Sequence, residues 1–367
     1  MVISILIFIF TLLVLVIIHE LGHFLVAKKF GIKVEEFGFG IPPKIFGKRF
    51  GETLYSINAL PLGGFVRLLG EDKGGKVQSS RDFRAKSVGQ RIAVVVAGVV
   101  MNLILAWIIF YTVIVYQNFK IIYPSIETGV YIGYLEKGFP AQIAGLNLGD
   151  RILKVDGNEV KNFDDPRNFI KQKNGQSVTL TLSDVDGKNL RQITITPKSV
   201  EKEKGEPVSG WKIGVGFSPI GLKAYRTTSE KLFSGITYSY DLTKLTFLGL
   251  NKTLHDLISG NVKSASQSVA GPVGLAKASN DILSSGPGAI LFYLWFVGII
   301  SLTLSIFNVL PIPALDGGRL LFLVIEAVSR KKVREDVERM VHQIGFIVLL
   351  TLALLVTYSN ISKLIHK

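Results

Sequence analysis

Three side chains in the stretch VLVIIHELGHFLVA (residues 14–27) carry the clearest chemistry in this chain: His19, Glu20 and His23. On an α-helix, positions four apart lie about 40° from each other, so His19 and His23 face the same way. Two neutral imidazoles placed like that can share one zinc ion. Glu20 lies about 100° round from His19 and can reach a water molecule at such a metal without being a ligand, which is the mechanical sense of H-E-x-x-H. The surroundings sharpen the reading. From Val2 to Ile18 only Ser4 and Thr11 are polar, and an acidic group at the centre of a spanning helix costs roughly 2.5–3.5 kcal/mol on insertion scales. Ionisable groups inside a membrane are rare and mostly functional. A structural polar cluster is the alternative, but its three members would then need partners that hydrocarbon cannot supply.

A catalytic zinc uses a third protein ligand and an open position. The chain has no cysteine, so that ligand must be a histidine or a carboxylate. Of the other histidines, His255 falls in a segment that the charge pattern puts outside, His366 in the tail, and His342 at the start of the last apolar stretch. Asp316, in FNVLPIPALDGGRLL, is the stronger candidate. Pro311 and Pro313 must break the apolar run before it, and Gly317 and Gly318 allow a sharp turn after it. A plain helix-capping role is the competing reading of Asp316, and His342 is the competing ligand.

These residues must be positioned by membrane-spanning elements. The 367-residue chain is 48% hydrophobic, and four apolar stretches stand out, at 2–27, 92–116, 289–310 and a shorter one within 341–359. Each approaches the length that crosses a bilayer. The first lacks a positive leading region and a small-x-small cleavage site, unlike a removable signal peptide. The net charge of +14 is unevenly spread: 13 Lys/Arg lie from Lys28 to Arg91 and six from Arg319 to Arg339. Positive loops stay cytoplasmic. The expected topology therefore has 28–91 and 311–340 inside, with both termini and the 120–288 region outside. That returns Asp316 to the side of His19 and His23. The basic excess reads as topology and lipid contact, and no interleaved aromatic and basic platform points to nucleic acid.

Between the first two stretches, 28–91 is rich in Gly and aromatic residues and reads as short strands and turns. Either it forms a small surface hairpin pair, or it is a β element dipping into the membrane against helices. The segment 125–218 contains GFPAQIAGLNLGDRILKVDGNEV (138–160), which closely resembles bacterial PDZ domains, α+β modules that bind extended peptide ends by strand addition. In permuted PDZ domains the peptide-receiving strand comes last. WKIGVGF (211–217) fits that place, with Ile213, Gly214 and Val215 as candidate peptide contacts; a mere closing strand is the alternative. Within 219–288, Leu232, Ile236, Leu245 and Leu248 suit one face of an amphipathic helix, lying either on the membrane surface or against the PDZ domain.

Taken together, HELGH in the first apolar run, N-x-x-P-x-P-x-L-D-G-G after the third, LPLGGFVRL between them and a PDZ domain resemble the bacterial site-two protease family. The likeness is closest to the regulated intramembrane zinc metalloproteases of RseP type, which cleave anti-sigma factors and remnant signal peptides, and it covers nearly the whole chain. It implies a multi-pass protein of the bacterial cytoplasmic membrane with four transmembrane helices, a cytoplasmic-side re-entrant β-hairpin and an inserted extracytoplasmic PDZ domain. It implies zinc held by His19, His23 and Asp316, with Glu20 as general base. Asn308 would hold the substrate backbone near the metal. NALPLGGFV, with Asn58, Leu60, Gly63 and Gly64, would belong to a hairpin whose edge pairs with an unwound single-span substrate. Two departures stand out: one PDZ domain where many relatives have two, and no proline in AGVVMN (97–102), whose Asn102 is expected to face inward. Two other classes compete. A non-catalytic scaffold would use the PDZ domain alone, and a metal transporter would need polar residues along several spans, of which 92–116 and 289–307 offer few.

Overall fold

A computed structural model describes residues 2–71, 77, 79–123, 129–185, 187–200, 210–218, 220–261, 271–286 and 288–365. Residues 201–209 and His366 lie outside these residues. The chain begins with α1 (Val2–Lys29), β1 (Val34–Phe50), β2 (Thr53–Leu68) and α2 (Val88–Tyr116). There follow β3 (Lys120–Tyr123), β4 (Val130–Leu135), α3 (Pro140–Ile143), β5 (Arg151–Val155), β6 (Asn158–Glu159), α4 (Asp165–Gln172), β7 (Val178–Ser183) and β8 (Arg191–Ile195). Next come β9 (Lys198–Val200), β10 (Gly210–Lys212), β11 (Val215–Ser218), β12 (Gly221–Ala224), α5 (Thr228–Leu232) and α6 (Ser234–Ile258). The chain closes with α7 (Pro272–Leu283), α8 (Ala289–Val309), α9 (Asp316–Ser329) and α10 (Glu335–Ile365). It divides into two compact units, Met1–Phe110 with Leu250–Lys367, and Tyr111–Gly249.

In the first unit, α1, α2, α8 and α10 contain the four runs long and apolar enough to cross a membrane. At 1.5 Å per residue, the 28 residues of α1 extend about 42 Å, more than a hydrocarbon core is thick. Lys28 and Lys29 close it, where cations suit the helix dipole. The helices pack through two apolar clusters, one around Phe8, Leu15, Tyr293, Phe296 and Ile300, the other around Ala27, Ile32, Val34, Phe83, Val94, Val95 and Leu323. Polar side chains join them as well. Ser301 Oγ donates to the Asn102 carbonyl at 2.8 Å and Ser305 Oγ to the Val99 carbonyl at 3.0 Å, so α8 lies close along α2. Such small hydroxyl residues suit helix contacts in lipid.

The region expected to form short strands is instead two long, bent ones. Glu36–Phe39 of β1 pairs with Gly64–Arg67 of β2 and also registers with Leu54–Ile57, while Lys44–Phe50 pairs with Thr53–Asn58. Two strands therefore build four rungs. Buried polar groups tie the rungs together: the Glu36 carboxylate accepts from Ser56 Oγ (2.6 Å) and Arg67 Nη1 (2.9 Å). Alternation alone could not reveal strands that fold back on themselves.

A second difference falls at 311–340, read as a loop after a glycine turn. Residues 316–329 are helical, with Leu323 buried. Gly317 and Gly318 lie within the first turn of α9, and their missing side chains have another purpose. A Cβ on Gly317 would collide with the Leu310 carbonyl, and one on Gly318 would stand 2.7 Å from the Ile312 carbonyl. They let the Pro311–Pro313 turn press onto the helix.

The second unit is built on a sheet with strand order β11-β4-β5-β7-β8, β6 pairing with β5 beside it. Its core gathers Ile132, Ala141, Ile152, Val155, Ile170, Val178, Leu180 and Leu182. The stretch 211–217, expected to be one strand, is split. Trp211 and Lys212 pair with β9, Gly214 takes φ +77°, and Val215–Ser218 pairs with β4 as an edge strand. Ile213, expected to meet peptide, is 4% exposed and belongs to the core, because the bend at Gly214 turns it inward. Leu232 at the end of α5 and Ile236 and Leu248 on α6 are exposed, Leu245 is half-buried, and the buried residues of α6 are Ser234, Gly235, Tyr238, Ser239 and Leu242.

Candidate active site

His19 and His23 sit one turn apart on α1, and the first residue of α9 faces them. His19 Nε2 is 2.9 Å from Asp316 Oδ2, His23 Nε2 is 3.3 Å from the same oxygen, and the two Nε2 atoms are 3.2 Å apart. With ligand bonds of 2.0–2.2 Å, donor atoms at the corners of a tetrahedron stand about 3.3 Å apart. Two imidazole nitrogens and one carboxylate oxygen at these spacings fit a zinc ion and leave one corner open. Among the described residues this is the one group of His and carboxylate donors close enough to hold a metal.

The second helix prepares both rings. His23 Nδ1 donates to the Val94 carbonyl at 2.8 Å, which fixes the tautomer that turns Nε2 toward the site. The Asn102 amide is 3.4 Å from His19 Nδ1, and both it and His19 are buried. An amide can present either end there. It is Nδ2 that stands at this distance; with Nε2 turned to the metal position Nδ1 carries a proton, so an accepting contact needs the amide turned to bring Oδ1 there, and Oδ1 has no partner among the described residues. Gly98 lies between these two contacts. A Cβ there would stand 2.7 Å from Cε1 of both histidines and closer still to His23 Nε2.

Glu20 and Asp316 open on one cavity of about 360 Å³, with Phe65, Val66, Arg67 and Leu68 of β2 along its wall. Gly64 of β2 lies close to Glu20: a Cβ on it would stand 3.5 Å from Glu20 Cγ. An ion pair between Arg319 of α9 and Glu71, just past β2, borders the same space.

The other predicted residues divide. Gly63 takes φ +96° where β2 bends toward Gly64. Leu60 is half exposed and opposite Ile41. Asn58 is buried, and its amide donates to the Phe39 and Gly40 carbonyls at 3.2 Å, so it staples β1 to β2 and has no surface to offer a peptide. Asn308, in the last turn of α8, is partly buried and does not line the cavity. His342 is not in the donor group; its Nδ1 accepts the Ala314 N–H at 2.9 Å. Sequence reasoning missed the Val94 carbonyl, Gly98 as a cradle and the Arg319–Glu71 pair, all contacts between elements distant in the chain.

A carboxylate beside a metal-competent triad, reached from within apolar helices, points to a class of protein: membrane-embedded, metal-dependent hydrolases. The chain belongs to peptidase family M50, whose family model matches residues 7–352. It is 35% identical over 347 residues to a relative from Clostridium perfringens, covering 95% of each chain. It is 30% identical to the zinc metalloprotease RasP of Geobacillus kaustophilus over 98% of both chains, and 29% identical to the regulator of sigma-W protease RasP of Bacillus subtilis over 95% of this chain and 96% of that one. This protein is therefore a zinc metalloprotease with four apolar helices long enough to span a membrane. Among solved structures, the PDZ domain of an SdrC-like protein from Listeria monocytogenes aligns with 26% of the chain and 93% of its own length, at 24% identity and a TM-score of 0.21.

Proposed function

We propose that this protein hydrolyses peptide bonds within the transmembrane segments of single-span membrane proteins, anti-sigma factors and remnant signal peptides among them. In this reading His19, His23 and Asp316 hold zinc and Glu20 is the general base. The observation that carries it is the near-tetrahedral spacing of the three donor atoms on elements that also aim Glu20 into their cavity. Zinc, when bound, polarises the scissile carbonyl and activates water. Glu20 accepts the proton of the attacking water and returns it to the leaving nitrogen. Arg67 and Arg319 line the same cavity, each in an ion pair, with Glu36 and Glu71.

A peptide bond in a helix is shielded by its own hydrogen bonds, so the substrate must unwind before it is cut. The segment Gly64–Leu68 suits its capture. Its residues Phe65–Leu68 line the cavity, and in β2 Gly64–Arg67 forms an outer rung, paired with Glu36–Phe39 on one side. An unwound substrate added to its other side would lie across Glu20. This moves the pairing edge from Asn58 and Leu60 toward Gly64.

The sidedness is part of the proposal: both termini and 120–288 outside, 28–91 and 311–340 inside, and the β1–β2 hairpin entering the membrane from the cytoplasmic face. In the bacterial cytoplasmic membrane this puts the PDZ-like unit extracytoplasmic, where it filters substrates by gripping a trimmed C-terminus at the Val215–Ser218 edge or by excluding bulky outer domains. The decisive experiment reconstitutes the full chain in liposomes with a single-span peptide. Glu20→Gln should retain zinc and lose cleavage inside the apolar segment. Cleavage that survives this change would overturn the reading.

A further inference from the structure

The third donor, Asp316, is delivered by a turn with an unusual residue in it. Ala314, two positions earlier, takes φ +75°, a left-handed conformation that a side chain with a Cβ disfavours. The neighbours that hold it belong to α10, and the site described above does not use them.

His342 on α10 accepts the Ala314 N–H with Nδ1 at 2.9 Å. That bond requires Nδ1 to be unprotonated, so the proton of the neutral ring sits on Nε2, which is buried and has no partner among the described residues. An arrangement that leaves one ring nitrogen orphaned in order to use the other singles out Nδ1 as the reason for a histidine here. The ring also leans on Phe322 of α9, with centroids 5.8 Å apart. One turn further along α10, Gly345 is a second point of grip. A Cβ there would collide with Pro313 Cβ and stand 2.9 Å from the Pro313 carbonyl carbon and oxygen.

We infer that α10 is the positioning element for Asp316: His342 anchors the Ala314 N–H while Gly345 receives Pro313, and together they hold the left-handed turn that presents the carboxylate to His19 and His23. This rests on Asp316 being a zinc ligand. It gives the last helix a share in the metal site without supplying an atom to it, and it makes His342 a positioning residue where the sequence left it as a rival ligand.

The test uses the full-length protein in detergent, with zinc retention read against a graded series of chelator concentrations. The visible spectrum of the cobalt-substituted protein reports the geometry of the site. His342→Phe keeps an aromatic ring but has no acceptor, and should weaken zinc retention by about 10–100-fold, as loss of a supporting group round a metal commonly does. His342→Asn offers an oxygen close to where Nδ1 stood and should stay near wild type in both readouts. Adding Ala314→Gly to His342→Phe should recover much of the loss, since glycine adopts positive φ without a Cβ clash. Should His342→Phe fail to fold, Ala314→Val with His342 intact should reproduce the loss, because a β-branched residue resists that φ. Wild-type retention in His342→Phe or Ala314→Val would overturn the inference, as would equal damage in the Phe and Asn variants or no recovery with glycine. Asp316→Ala, measured in parallel, separates the two levels. If it keeps zinc, the ligand assignment itself fails and takes this inference with it; if it loses zinc while His342→Phe does not, only the positioning role is wrong.

Discussion

Replacing Gly98 by alanine adds one methyl group at the point where α2 faces both histidines. Carbon atoms in good contact stand about 3.5–4.0 Å apart, whereas this methyl would find Cε1 of His19 and of His23 at 2.7 Å. One ring, or the helix itself, must withdraw by about 0.8 Å or more. A misplacement near 1 Å at a reacting centre costs on the order of 100-fold in rate, so Gly98→Ala should lower cleavage of a single-span peptide by about that factor and reduce zinc retention with it. The comparison is Gly89→Ala on the same helix, where a Cβ meets nothing within 4 Å. Exchange of glycine for alanine inside a helix favours the helix by about 1 kcal/mol, so Gly89→Ala should leave zinc and activity intact and not lower the melting temperature. Zinc per protein by elemental analysis, peptide cleavage and thermal melting in one detergent separate the two effects. Full zinc and full activity in Gly98→Ala would show that the site is looser than these distances, and the reasoning would fail.

The supporting contacts give further expectations. Asn102→Leu removes the acceptor for His19 Nδ1–H and should weaken zinc retention by about 10–100-fold with the fold retained, as checked by chelator titration and circular dichroism. The buried pair of Arg91 with Glu326, at 2.6 and 3.1 Å, joins α2 to α9. Arg91→Met leaves the Glu326 carboxylate stranded and should cost about 3–5 kcal/mol in detergent unfolding, whereas Arg91→Met with Glu326→Leu should recover most of it. In the sheet-based unit, Ile213→Asp puts a carboxylate into the apolar core, so the unit should become open to limited proteolysis; Gln192→Asp, on the exposed side of β8, should leave it resistant.

How far the site could be read from the sequence depended on how local its chemistry is. His19, Glu20 and His23 are set by helical periodicity alone, and Asp316 stood out because prolines before it and glycines after it break an apolar run. The spacing in the folded chain, by contrast, depends on α2. The Val94 carbonyl, Gly98 and Asn102 reach the histidines only because two apolar helices pack at a given rotation, which hydropathy does not encode. The same limit explains the hairpin. Asn58 looks like an exposed polar residue in an alternating strand, yet a strand that folds back turns it toward the Phe39 and Gly40 carbonyls. One glycine at φ +77° reverses the inward and outward alternation beside Ile213, so a strand pattern alone puts that side chain on the wrong face. A Gly-Gly pair after prolines suggests a turn, but at Gly317 and Gly318 close approach of the backbone around Leu310 and Ile312 is what requires them.

X-ray absorption at the zinc edge of the purified protein, wild type beside Asp316→Ala, tests the central claim most directly. Cysteine is absent from the chain, so every protein ligand is nitrogen or oxygen. The account expects one zinc per chain with a first shell of four light atoms near 2.0–2.1 Å. Two of them should carry the outer-shell scattering of imidazole, and Asp316→Ala should lose one oxygen neighbour along with most of the bound metal. Scattering from three imidazoles, or an unchanged zinc shell in Asp316→Ala, would contradict it.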